Sequence, residues 1–204
     1  MFRPGPRHQS VLALKFHSRV LFLAELFHDA FPEAGFVFQY RDGQSWANSF
    51  SGFLQMVHVP LLLEGADLLL SWEIMTSAEP AEVMQGLFDT SKPIHHDVLL
   101  APSWAMHMRE YQRLRAMGIP ILPLNYRDLN RNPAQGVQSL LDHCRLSVPD
   151  MQPLMAVFTH DSQEGTQVAR GGAITRCAPE NYANFRTALT RYAPDLDPDT
   201  VLLA

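Results

Sequence analysis

Three things are scarce in this sequence: cysteine, charge and long apolar runs. Cys144 and Cys177 are its two cysteines, and neither belongs to a CxxC pair, so we expect reduced thiols rather than a disulfide framework. Charged residues make up 18%, which is unlike a chain that is disordered throughout. No apolar run reaches the roughly 18 residues of a membrane span. These scarcities predict a globular cytoplasmic protein without a membrane span.

Basic residues are also too few for a general nucleic-acid surface, because the formal net charge is -5. A local basic pocket for a small anion is compatible with that charge. The nine histidines show no metal-ligand spacing. His95 and His96, in "KPIHHD", are predicted to be a solvated loop pair. We therefore expect neither a nucleic-acid partner nor a metal.

Short apolar runs alternate with helical spacing, which is typical of a parallel sheet with crossover helices. Buried strands are predicted at Ser10–Lys15, Gly35–Tyr40 and Ile119–Tyr126. Helices are predicted over residues 18–32, 43–57, 77–88, 101–118, 132–147 and 179–193. In the longest of them, Ser103 is the expected cap and Gly118 the expected end. Residues 61–72 fit a core helix or a strand, and residues 148–172 are predicted to be loops. One α/β domain over residues 1–204 is expected.

Cationic and aromatic side chains follow the predicted strands. Lys15 stands at the end of the first, Arg41 directly after the second, and Tyr126 at the end of the third, where Arg127 follows it. The carboxyl ends of parallel strands share one edge, where ligands bind and helix N-termini favour anions. The pattern predicts a phosphate or sulfate pocket, and the alternative is a set of ordinary surface charges.

Arg41 and Ser49, eight positions apart in "RDGQSWANSF", resemble the segment that binds the 3'-phosphate in PAPS-dependent sulfotransferases. Other segments resemble the family in the same order: "LKFHSRVLFLAELFHDAFPEAGFVFQYRD", "ILPLNYRDLNRNP", "LLDHCRLS" and "DSQEGTQVARGG". The resemblance covers about residues 10–192. It implies a P-loop NTPase-like fold, in which a three-layer arrangement of helices flanks a parallel sheet.

The resemblance also implies a donor and the residues that bind it. The donor is PAPS (3'-phosphoadenosine 5'-phosphosulfate), used as a co-substrate without a metal. Arg41 and Ser49 would bind its 3'-phosphate, Tyr126 would lie against the adenine, and Arg170 would supply a further guanidinium. The acceptor would be a small molecule or a carbohydrate.

The Lys15-Phe16-His17 segment matches the Lys-x-His of many family members. His17 would then be the general base on the acceptor hydroxyl or amine, since imidazole titrates near neutral pH. Lys15 would stabilise the negative charge that develops during sulfuryl transfer. The alternative for His17 is a histidine that only caps or packs at a helix start.

The sequence departs from the family in one respect: it has no loop resembling "PKSGTTW" and no GxxxxGK[ST] motif. This predicts an N-terminally truncated sulfotransferase domain whose sheet has an exposed edge. The alternative is a non-catalytic or fragmentary member of the family that binds PAP-type nucleotides or a partner chain. A homo-oligomer is compatible with either prediction. A third reading is an unrelated α/β nucleotide-phosphate enzyme, although no phosphate loop or Walker B site supports it.

Overall fold

The computed structural model describes residues 11–76, 79–160 and 179–202. Two 3₁₀-helices, Ser18–Leu23 and His96–Leu99, precede helices α1 and α5. The strands are β1 (Phe36–Tyr40), β2 (Leu62–Leu63), β3 (Ile94–His95) and β4 (Ile121–Asn125). The α-helices are α1 (Ala24–Ala30), α2 (Gly43–Met56), α3 (Gly65–Thr76), α4 (Ala81–Leu87), α5 (Leu100–Ala116), α6 (Tyr126–Arg131), α7 (Pro133–His143), α8 (Gln152–Val157) and α9 (Pro179–Tyr192). None of the helices in these ranges is long and apolar enough to cross a membrane.

Strands β1 and β4 form a parallel pair, with Phe36 opposite Ile121 and Tyr40 opposite Asn125. Strands β2 and β3 pair separately and antiparallel. The mixed α/β class is thus confirmed. Among the described residues, however, the parallel sheet has two strands. Because the two strands pair from end to end without an offset, the carboxyl ends of β1 and β4 lie side by side. The sequence predicted this arrangement for its second and third strands.

Helix α5 is the centre of the core. It buries one side against β1, where the Phe38 and Tyr111 rings stack with centroids 5.6 Å apart, and it also contacts α2 and α9. Its first two turns, residues 100–106, are buried on all sides, and beyond them Met108, Tyr111 and Leu114 recur at helical spacing. A second cluster joins α3, α4 and the β2–β3 pair through Leu63, Leu68, Trp72, Met84, Ile94 and Leu99.

The prediction of a first strand at Ser10–Lys15 is wrong. Residues 11–15 have no regular secondary structure and are exposed, with Leu12 82% accessible. A strand needs a partner for its backbone N–H and C=O groups, and these residues pair with none of the described strands. Apolar composition alone could not supply that partner.

Strand β1 is also less buried than its composition predicted. Phe38 and Tyr40 point into the core, whereas Val37 and Gln39 are exposed. Successive side chains of a strand point to opposite faces, so Phe38 and Tyr40 share a covered face while Val37 and Gln39 share the other. The strand therefore follows the alternation of a sheet with one open face.

Of the two predictions about the ends of α5, the one for its start is wrong and the one for its end is confirmed. Ser103 is not the cap, because the 3₁₀-helix His96–Leu99 runs directly into α5 and the helix begins at Leu100. Gly118 does end it, and its positive φ of 86° is a conformation that glycine adopts without a Cβ penalty. Helix α8 lies inside the stretch that was predicted as loop.

Candidate functional site

The carboxyl ends of β1 and β4 bring two predicted site residues together. Arg41 follows β1, Tyr126 begins α6 directly after β4, and the guanidinium carbon of Arg41 lies 4.1 Å from the centre of the Tyr126 ring. A guanidinium over an aromatic face is attracted by the ring quadrupole. The carbonyl oxygen of Arg41 accepts a hydrogen bond of 3.0 Å from Trp104 Nε1 on α5. Arg41 is therefore fixed at both its backbone and its side chain.

Asp42 joins the two strand ends. Its Oδ1 accepts a hydrogen bond of 2.9 Å from the backbone N–H of Ser45 and so caps α2. Its Oδ2 lies 2.6 Å from Nη2 of Arg127, at the start of α6. The carboxylate is 3% exposed. Asp42 therefore fixes the turn after β1 and also orients Arg127.

An open cavity of about 750 Å³ lies at this edge of the sheet. Within the described part of the chain, the charged side chains in its lining are those of Arg41, Arg127 and Arg131, and none of these described lining residues carries a carboxylate. Ser45 and Asn130 add polar groups, and the other described lining residues are Tyr126, Pro133, Met155, Phe158 and Thr159. A cavity with three guanidinium groups and one helix N-terminus suits a multiply charged anion. A second cavity of about 430 Å³, lined by Leu122, Pro123, Leu124 and Leu202 among others, also includes Arg131.

Ser49 is placed differently from Arg41 and Tyr126. It is exposed on α2 and is not among the residues that line the cavity. Ser45, four residues earlier and therefore on the same face of the helix, does line it. A role for Ser49 in phosphate binding stays a prediction. In the sequence, Ser45 could have been recognised by its position one helical turn before Ser49, closer to the N-terminus of α2.

Arg131 was not predicted as a site residue, and Arg127 was named only among the charges at the strand ends, without a role in binding. Their signal was their spacing of four in "YRDLNR", which places both on one face of a helix that begins at the strand end. Asn125 starts this helix, because its Oδ1 accepts a hydrogen bond of 2.8 Å from the backbone N–H of Arg127. The predicted strand included Tyr126, and this local cap explains why the strand ends one residue earlier.

The predicted catalytic residues Lys15 and His17 lie in the exposed segment before the first 3₁₀-helix. They do not line the cavity. His17 lies near enough to His107 for the two charges to interact, and His107 lies one turn after Trp104 on α5. His17 and Arg41 are thus both near the same stretch of α5. The predicted Arg170 lies outside the described residues.

The pKa of His107 is lowered. Burial of the ring is the main cause, since it disfavours the charged form, and the charge of Arg19, with that of His17 when it is protonated, acts in the same direction. A hydrogen bond to the carbonyl oxygen of Ser103, 2.6 Å from Nδ1, opposes the shift. His107 is therefore a neutral imidazole near pH 7.

The prediction that His95 and His96 form a solvated loop pair is wrong. His96 is 1% exposed and His95 is partly buried, because β3 pairs with β2 and leads into the 3₁₀-helix above α5. Together with Asp97 they form a group whose potential ligand atoms all lie within 4.8 Å of one another. The pKa of His95 is lowered chiefly by burial, although Asp97 opposes that shift.

Comparisons of the chain with protein-family models, with curated proteins and with solved structures give no match. Function therefore has to be argued from the chain's own residues and from the geometry of the arginine-lined cavity.

Proposed function

We propose that the protein is sulfotransferase-like and binds PAPS or its product PAP through the 3'-phosphate in the arginine-lined cavity. The observation that carries this proposal is the convergence of Arg41, Arg127 and Arg131 at the carboxyl ends of two parallel strands. Ligands of open α/β sheets bind at that edge. The finer fold that goes with the proposal is a P-loop NTPase-like, three-layer domain.

The cavity arginines are suited to a phosphate for different reasons. The guanidinium group of Arg41 is already held over the Tyr126 ring, so the Arg41 side chain loses less conformational freedom when two of its N–H groups bind two phosphate oxygens. Arg127 is held by the Asp42 carboxylate, which leaves its other N–H groups available. Arg131 follows one turn later on α6 and adds the third charge. In this proposal Ser45 or Ser49 on α2 adds a hydroxyl donor.

Sulfuryl transfer would use Lys15 and His17. The acceptor oxygen or nitrogen attacks the sulfur of PAPS while its proton passes to the neutral His17 imidazole. The bond between that sulfur and the bridging oxygen breaks, and PAP leaves with the electron pair. Lys15 would stabilise the negative charge on the transferring group. The supporting observation is the position of His17 beside α5, whose Trp104 holds the backbone of Arg41.

A non-catalytic protein that binds PAP-type nucleotides is the second candidate. It is favoured by one observation: Lys15 and His17 are exposed and stand outside the lining of the arginine cavity. The two candidates share the 3'-phosphate site and differ only in whether a sulfuryl group is transferred.

Calorimetric titration with PAP tests the shared site. Wild type should bind PAP, and Arg41→Ala should bind it about ten- to hundred-fold more weakly, because a charge-assisted contact to the phosphate is lost. Arg145→Ala is the matched control, since Arg145 is an exposed arginine paired with Glu33. Adenosine 5'-phosphate, which lacks the 3'-phosphate, should bind weakly and equally to all three proteins. Equal PAP affinities for wild type and Arg41→Ala would contradict the proposed site.

A transfer assay with labelled PAPS and a panel of phenols, lipids and carbohydrates separates the two candidates. Sulfuryl transfer that is lost in His17→Ala, with PAP affinity unchanged, is expected for the enzyme. PAP binding without transfer to any acceptor supports the non-catalytic protein.

A further inference from the structure

We propose that His95, His96 and Asp97 bind a divalent transition-metal ion, for which Zn²⁺ is the natural probe. The cluster lies where β3 ends and the 3₁₀-helix before α5 begins. It is separate in the chain from the residues that line the arginine cavity, so the proposal does not rest on the proposed function.

The hydrogen bonding of His96 leaves a ligand atom directed toward Asp97. Its Nδ1 lies 2.9 Å from the carbonyl oxygen of Pro60. A carbonyl only accepts, so Nδ1 carries the proton and the Nε2 of the neutral ring carries a lone pair. That Nε2 is buried, makes no hydrogen bond within the described residues and lies 3.1 Å from Oδ1 of Asp97. With the ring neutral, this lone pair and the carboxylate oxygen repel each other at such a distance, and a cation bound by both removes the repulsion.

His95 presents a second lone pair to the same carboxylate. The backbone N–H of Asp97 donates to Nδ1 of His95 over a long 3.3 Å, which identifies Nδ1 as the unprotonated nitrogen. Nδ1 also lies 3.7 Å from Oδ2 of Asp97. Two imidazole nitrogens and a carboxylate thus converge. A metal ion bound by Nδ1 of His95 would replace only the weak hydrogen bond from the backbone N–H of Asp97.

The spacing fits a small cation. Two ligand atoms at tetrahedral positions, each about 2.0–2.1 Å from zinc, lie roughly 3.3–3.4 Å apart. The observed 3.1 Å and 3.7 Å bracket that value. Imidazole and carboxylate ligands suit zinc and its neighbours rather than calcium or magnesium, which prefer oxygen.

The surroundings support a preformed site. The bond from His96 to the Pro60 carbonyl fixes the tautomer and the ring orientation, as outer hydrogen bonds do for metal-bound histidines. The backbone N–H of His96 also donates to the carbonyl of Leu61, so the segment is held on two sides. The side chains of His96 and Asp97 are each 1% exposed, whereas that of His95 is 21% exposed. His95 therefore provides the route from solvent.

The test uses the full chain after removal of metals with a chelator. Calorimetric titration with Zn²⁺ should show one ion per chain bound at this site, and Co²⁺ should give the visible absorption bands of a four-coordinate ion with nitrogen ligands. His95→Ala, at the most exposed ligand, should weaken Zn²⁺ binding at least tenfold while the fold is kept. Zn²⁺ should also raise the Tm of wild type more than that of this variant.

His58→Ala is the matched control, since His58 is exposed and lies outside the cluster. Its affinity for Zn²⁺ should equal that of wild type. Asp97→Asn keeps the side-chain shape and should also weaken binding, which covers the case in which His95→Ala fails to fold. The proposal is overturned if wild type binds neither ion, or if His95→Ala binds Zn²⁺ as tightly as wild type. In those cases a proton shared by His96 and Asp97 occupies the gap.

Discussion

His107 shows how one buried titratable side chain links pH to stability. Its ring packs edge-on against Phe22, with centroids 5.3 Å apart, and burial lowers its pKa below the ordinary 6.5. The unfolded chain takes up a proton at this histidine near pH 6.5, while the folded protein does so only at lower pH. The folded state therefore loses stability as the pH falls through this range, and gains nothing from His107 above it.

Replacing His107 with Gln should flatten this pH dependence. We expect the free energy of unfolding of wild type to fall more steeply than that of His107→Gln between about pH 7 and pH 5. Urea denaturation at several pH values measures the difference. His58→Gln, at an exposed histidine, should follow the wild-type curve. Parallel curves for wild type and His107→Gln would show that His107 does not cause the dependence.

At the scale of the elements, the helices were easier to predict than the strands. Helices α2, α7 and α9 lie where their apolar spacing and flanking residues predicted them, because those signals are local. The strand predicted at residues 10–15 failed, because a strand exists only with a partner that is distant in sequence. Helix α6 was not predicted, because the apolar run of the third strand was extended to Tyr126. Asn125, which caps the start of this helix, was the one local sign of a helix there.

Helix α2 depends on Asp42 for its start. Asp42→Ala should lower the free energy of unfolding by about 1–2 kcal/mol, mostly through the lost cap, since surface ion pairs contribute little and Arg127 is 45% exposed. Asp42→Asn keeps a capping oxygen and is the control that should stay close to wild type. Urea denaturation compares the three proteins. Equal losses in both variants would assign the effect to the ion pair with Arg127.

At the scale of the whole molecule, the segment after α9 closes the fold over β1 and α2. The backbone N–H of Leu202 donates to the Tyr40 hydroxyl over 2.9 Å, and that of Gly43 donates to the carbonyl of Pro198 over 2.6 Å. Leu196 and Leu202 are buried in the main core. Residues near the end of the sequence thus support the strand end that carries Arg41.

Tyr40→Phe should weaken the attachment of the segment after α9 to β1. The variant leaves the Leu202 N–H buried without its acceptor, which should cost about 1–3 kcal/mol of unfolding free energy. Urea denaturation measures the loss, and hydrogen exchange should show faster exchange at the Leu202 amide. Tyr126→Phe removes a hydroxyl that makes no hydrogen bond within residues 11–76, 79–160 and 179–202, so it should leave both measurements unchanged. An unchanged Leu202 exchange rate in Tyr40→Phe would contradict the role of this contact.

The sequence by itself determined the positions of most helices, the two strands that pair in parallel, and the placement of Arg41 and Tyr126 at the carboxyl ends of those strands. These features follow from local spacing, turn residues and caps. Only the tertiary structure decided that residues 11–15 have no strand partner, that Asp42 links α2 to Arg127, and that Ser45 rather than Ser49 lines the arginine cavity. It also decided that His95, His96 and Asp97 are buried together, because burial there depends on the β2–β3 pair and on α5, which pack onto this short segment from elsewhere in the chain.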